Sequence, residues 1–189
     1  MAFKVSIIGP TNLGALGRRL QKPQELLLDW AAFVGRTLAE HGCELLTNAG
    51  EGMLSAVPAA YKEHGGPLWT VVLPERPHRW PNYHVLPYGD KADEVRWEPT
   101  WDDANYAMVS VPSLCICMGL SSGTDREISD AVWDVRFPSP RVNLQKLVAI
   151  PDLLVGGRLH PEHEEDILPK LVYLKGREDL SRIIEELRQ

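Results

Sequence analysis

Cysteine is scarce: Cys43, Cys115 and Cys117 are the only three in 189 residues. An odd number without a C-x-x-C pair excludes a disulfide framework and fits a reducing compartment. On one strand Cys115 and Cys117 would face the same side, about 6.5 Å apart and too far for an unstrained bridge, so all three read as small buried hydrophobes. Long apolar runs are missing too. No stretch approaches the ~18 residues that cross a bilayer, and no charged leader with a cleavage site follows Met1, so a cytoplasmic protein without a membrane partner is expected. Positive charge is short, with 20 Lys+Arg against 26 Asp+Glu, a net charge of −6 and a pI near 5.5. That balance argues against a broad basic face for nucleic acid, where phosphate neutralisation dominates binding.

What is present is an ordinary core-forming composition, 44% hydrophobic and 24% charged. A chain of this length buries roughly 70% of its unfolded surface and needs no staple, so residues 1–189 are expected to form one domain. Apolar, β-branched runs at Phe3–Gly9, Cys43–Thr47, Trp69–Leu73, Ser113–Met118 and Lys146–Ile150 read as strands covered on both faces. Between them Leu27, Trp30, Val34 and Leu38 recur at helical spacing before Gly42, and Ile128, Ala131, Val132 and Val135 do the same. A last strand near Leu171–Leu174 and a helix from about Arg177 close the pattern. Alternation of this kind predicts an α/β, Rossmann-like, doubly wound and mainly parallel sheet with helices on both faces. Two stretches break the rhythm. Pro74–Pro99, crowded with Pro, His, Trp and Tyr, is too long for a simple connection, and Pro138–Arg141 reads as a rigid connector.

In such sheets ligands sit outside the carboxyl ends of the strands, which directs attention to three turns. These are Gly9-Pro10-Thr11-Asn12-Leu13-Gly14, then Thr47 to Met53 with Asn48, Gly50 and Gly52, then Gly119 to Glu127. In the third, Ser121, Ser122, Gly123 and Thr124 fall where a helix begins, and unpaired N–H groups with the helix dipole make a seat for an anion there. Helix capping by Ser121 or Ser122 accounts for the same residues. Stricter nucleotide motifs do not match. Ala15 and Leu16 replace the Lys and Ser/Thr of a P-loop, and Gly50-x-Gly52-x-x-Ser55 lacks the third glycine of a dinucleotide fingerprint, leaving NAD-type binding with Glu75 a minor alternative.

Together the turns resemble the LOG-like nucleotide phosphoribohydrolases, also labelled lysine decarboxylase-like, and the molybdenum cofactor carrier proteins of the wider SLOG superfamily. The resemblance covers most of the chain: Gly9-Pro10-Thr11, Asn48-Ala49-Gly50-Glu51-Gly52-Met53, Val71-Val72-Leu73-Pro74, and Gly119 through Glu127. Gly123, Thr124 and Glu127 fall on the most diagnostic positions of the family's P-G-G-x-G-T-x-x-E motif. Gly119, Leu120 and Ser121 replace its opening, and Ala49 replaces a glycine of the second turn. The arginine that the hydrolases carry about fifteen residues before that motif is here Ala104, followed by Asn105.

The resemblance implies a nucleotide or phosphoribosyl-type ligand held by Gly9, Pro10, Thr11, Asn48, Gly50, Gly52, Met53, Asn105, Gly119, Ser121, Ser122, Gly123 and Thr124. It also implies a homodimer or larger homo-oligomer. If the chain is a hydrolase of nucleoside 5′-monophosphates, Glu127 is its catalytic carboxylate, because N-glycosidic cleavage passes through an oxocarbenium-like sugar. Asp125 and Glu127 equally serve as first-turn acids that complement a helix dipole. Loss of the arginine removes a bidentate anchor, for which Arg126, Arg18 or Arg19 are replacements, and leaves carriage of a pterin or molybdenum cofactor as the other alternative. Trp80, Tyr83, Trp97 and Trp101 offer stacking surfaces for a base, or a dimer contact. His160-Pro161-Glu162-His163 with Glu164, Glu165 and Asp166 reads as a solvated loop; neither a metal nor a resident cofactor is expected.

Overall fold

The structure, a computed structural model, describes residues 3–75 and 82–189. Trp80 lies outside them. Seven strands form one sheet: β1 (Lys4–Ile8), β2 (Glu44–Asn48), β3 (Leu68–Pro74), β4 (Glu94–Glu98), β5 (Leu114–Cys117), β6 (Lys146–Ala149) and β7 (Leu171–Tyr173). Every neighbouring pair is parallel and the order is β4-β3-β2-β1-β5-β6-β7. The chain runs outward from β1 to β4, then returns to the far side of β1 at β5. That reversal opens a crevice between the carboxyl ends of β1 and β5, the place where open α/β sheets bind ligands.

Among the described residues eight α-helices connect the strands: α1 (Leu13–Leu20), α2 (Gln24–Glu40), α3 (Met53–Glu63), α4 (Leu86–Gly89), α5 (Trp101–Ser110), α6 (Ser122–Arg136), α7 (Pro161–Ile167) and α8 (Glu178–Arg188). On one face Val5, Ile7, Leu45 and Ile116 pack against α1, α2, α3 and α8; on the other Ile8, Leu46, Val72, Cys115 and Cys117 meet α5, α6 and α7. Strands covered on both sides have no polar face, which is why their runs are continuously apolar. In α2 the spacing of Leu27, Val34 and Leu38 puts all three fully in the core, each contributing about 2 kcal/mol by leaving water. Gly42, at φ +57°, follows the helix where a left-handed residue suits the chain. None of the described helices is long and apolar enough to cross a membrane.

The α/β, doubly wound architecture is as the sequence predicts, with three local departures. The stretch 74–99 is not simply a loop, since it carries β4, whose Glu-Val-Arg-Trp-Glu sequence lacks an apolar run because an edge strand is mostly exposed. Arg18 and Arg19 do not lie in a loop; they form the last turn of α1, where cations suit the helix dipole. Residues 161–167 are helical, begun by Pro161 at its first turn, with Glu164 buried against Arg158 and the Tyr173 hydroxyl. All three cysteines are free and buried, as small hydrophobes.

Candidate functional site

The first two turns pack directly on each other. Gly52 lies at φ +62°, ψ −126°, outside the range of other residues, and a Cβ there would meet the carbonyl oxygens of Pro10 and Thr11 at 2.6 Å. The Met53 amide donates to Pro10 O at 3.2 Å. A Cβ on Gly9 would meet Met118 Cβ at 3.1 Å and Met53 Cβ at 3.3 Å. These glycines therefore bring the ends of β1, β2 and β5 together. Met53 is fully buried in the core beneath them, while Thr11 stays exposed.

Below the crevice is a polar cluster that sequence spacing does not reveal. Asn48, at the end of β2, donates through Nδ2 to Asn105 Oδ1 of α5 at 2.9 Å and to Glu127 Oε1 of α6 at 3.0 Å. Asn48 is 5% exposed and Glu127 6%. Burial pushes the Glu127 carboxyl up to about 8; the Asn48 donor opposes that rise and the charge of Asp130 adds to it. At neutral pH Glu127 is thus chiefly a neutral acid, able to donate a hydrogen bond. Asn48 Oδ1 is buried and has no partner among the described residues, an acceptor left unsatisfied where such a deficit costs about 1–3 kcal/mol.

The third turn leads into α6. Ser121 caps it, its Oγ accepting from the Thr124 amide at 3.3 Å and lying 3.0 Å from Thr124 Oγ1. Capping therefore accounts for Ser121 and Thr124. The N–H groups of Ser122 and Gly123 come before any intrahelical acceptor, and both residues are exposed. Leu120 packs against the core rather than over them, and its carbonyl accepts from Arg19 Nη2 at 2.9 Å, which brings one guanidinium across the crevice. Arg126 is not available in the same way. It lies 3.5 Å from Asp102 and 3.4 Å from Asp130, on the outer side of α6. Ala104, where the resemblance calls for arginine, is fully buried, and α5 presents Asn105 instead.

Beside the β1 and β2 turns is an open cavity of about 660 Å³. Thr11, Gly50 and Gly52 line it, with Asn12, Gln24, Glu51, Ser55 and Tyr88 among others. Tyr88 donates to Glu51 Oε1 at 2.5 Å; burial first, then that carboxylate, push its hydroxyl up to about 12, so it stays a donor. Glu51 and Tyr88 were not singled out by sequence reasoning, although Glu51 stands between two glycines of a strand-end turn. Of the aromatics expected to stack on a base, Tyr83, Trp97 and Trp101 do not line this cavity: Trp97 is on β4, and Trp101 packs on the core as α5 begins.

No protein-family model and no curated protein matches the sequence. Solved structures do match the fold. The molybdenum cofactor carrier protein of Chlamydomonas reinhardtii is similar at 16% identity, over 100% of this chain and 99% of that one, with a TM-score of 0.68. The molybdenum cofactor binding protein of Rippkaea orientalis is similar at 15% identity, over 100% and 99%, with a TM-score of 0.69. DNA processing protein A of Helicobacter pylori, described for its single-stranded DNA binding mode, is similar at 13% identity over 97% and 80%, with a TM-score of 0.57. The fold is thus one shared with these molybdenum cofactor carrier and binding proteins.

Proposed function

We propose that this chain binds a phosphorylated nucleotide or pterin-type small molecule across the carboxyl ends of β2, β1 and β5, and that it holds the ligand without hydrolysing it. The observation that carries this reading is the unpartnered, buried Asn48 Oδ1 beneath the crevice. A buried acceptor without a donor is stabilised by a ligand that brings one, and a ribose hydroxyl or a ring N–H is such a donor. The free amides of Ser122 and Gly123, with the Arg19 guanidinium nearby, suit the phosphate.

Two observations weigh against hydrolysis. Glu127 sits where burial favours its neutral form, which stabilises an oxocarbenium ion poorly, and Ala104 supplies no cation to hold a 5′-phosphate. Carriage of a pterin cofactor is the second reading. It is supported by the whole-length fold match to molybdenum cofactor carriers and by the same lack of the hydrolase arginine.

Calorimetric titration with nucleoside 5′-monophosphates and with a pterin tests binding. Saturable heat and a rise in melting temperature with at least one are expected; absence of both with every ligand contradicts the proposal. Incubated with micromolar protein for hours, AMP and GMP are expected to stay intact, and release of free base would restore the hydrolase reading.

A further inference from the structure

The cavity beside the β1 and β2 turns differs in chemistry from the start of α6. Among the described residues its lining includes one carboxylate, Glu51, together with His84, and neither Lys nor Arg, although the Arg18 guanidinium lies beside Gly14 at its rim. A phosphate placed against Glu51 would meet a carboxylate, so that edge of the cavity disfavours the anionic end of a ligand. It suits the other end. About 660 Å³ accommodates a two-ring heterocycle, with Gly50 and Gly52 on either side of Glu51 in the lining. The ends of β2 and β5 are two strand spacings apart, roughly 10 Å at about 4.8 Å per spacing, which is the order of distance between ring and phosphate in a nucleotide.

Glu51 is also held in place. Tyr88 donates to its Oε1, and a carboxylate offers about four lone-pair sites, so acceptor capacity remains for donors on a ligand. Two adjacent N–H donors match a carboxylate in bidentate fashion. From this geometry we infer that Glu51, presented by Tyr88, selects a ring bearing a 2-amino-4-oxopyrimidine edge, the N–H and NH₂ pair common to guanine nucleotides and pterins. Adenine presents a ring nitrogen acceptor beside its amino group, so one of the two contacts becomes a lone-pair repulsion. The inference rests on the binding proposed above and adds the identity of the ring.

Titrations of the whole chain with GMP, AMP and neopterin test it, in the unaltered protein and in Glu51→Gln. GMP is expected to bind at least tenfold more tightly than AMP. In Glu51→Gln, whose amide offers one donor and one acceptor, that ratio should fall to about one or invert, while the melting temperature of the free protein changes little. A merely structural role for Glu51 would lower both affinities together and leave the ratio intact. Neopterin outcompeting GMP assigns the edge to a pterin; the reverse assigns it to a nucleotide. GMP and AMP binding equally, or an unchanged preference in Glu51→Gln, overturns this inference and leaves the proposed binding standing. No heat with any of the three ligands overturns both.

Discussion

Glu127, in the second turn of α6, and Glu51, in the turn before α3, are both carboxylates carried by strand-to-helix connections, yet they have opposite surroundings. Glu127 is closed in by β2, β5 and α5, with one amide donor and no cation in contact, and it is raised to about 8. Glu51 is exposed in an open cavity and receives a phenol hydrogen bond. The same side chain is thus a neutral acid on one side of the β1 turn and a hydrogen-bond acceptor on the other. Environment, rather than residue type, sets the role, as with carboxylate pairs in many sites. A catalytic assignment for Glu127 from its motif position alone misses this.

The sharpest way to break the contrast is at the glycines that hold the two sides together. Gly52→Ala should cost about 4 kcal/mol in urea unfolding, combining a conformation closed to alanine with the clash against Pro10 and Thr11 carbonyls. Gly123→Ala, whose Cβ would have Ser121 Oγ at 3.8 Å as its nearest neighbour, should stay within about 1 kcal/mol and incline toward stabilisation. Equal costs at the two positions would contradict the packing described for the first two turns.

Next in size is the pH dependence from Glu127. Its folded value of about 8 exceeds the ordinary 4.5, so between those two values the native state holds the proton more tightly than the unfolded chain. The stability this lends is complete below about 4.5 and is lost as pH rises through 8, on the order of 5 kcal/mol in all. Glu127→Gln should flatten that slope and exceed the unaltered protein in stability above pH 8 when chemical denaturation is followed across the range. A slope identical in both proteins would place the carboxyl in a far wetter site.

Smaller still, Asn48→Ala should lower stability by about 1–2 kcal/mol, since it removes the donor shared by Asn105 and Glu127, and should weaken nucleotide binding roughly tenfold by calorimetry. Far from either carboxylate, Trp133 and Phe137 stack on the exposed side of α6 with ring centroids 5.1 Å apart. Trp133→Ala is expected to shift stability by no more than about 0.5 kcal/mol and leave binding unchanged.

The fold was legible because most of its strands are buried on both faces, and burial writes itself into sequence as an apolar run. β4 was not, because an edge strand with Glu94, Arg96 and Glu98 has no such signature. The helix at 161–167 was hidden by its charged residues, whose fitness for a helix depends on Glu164 finding Arg158 and Tyr173. At the site, Asn48, Asn105 and Glu127 were each identifiable, Glu127 from its motif, Asn48 from its turn and Asn105 from its place beside the position of the family's arginine. Their meeting was not, since 57 and 79 residues separate Asn48 from its two partners along the chain. The burial that makes Glu127 neutral is likewise a property of the packed helices rather than of the motif.

A crystal structure of the protein grown with GMP or a pterin phosphate would test the central claim most directly. The account predicts a ligand hydroxyl or N–H within about 3 Å of Asn48 Oδ1 and phosphate oxygens on the Ser122 and Gly123 amides. Ligand bound elsewhere on the sheet, with Asn48 Oδ1 still lacking a donor, would contradict it.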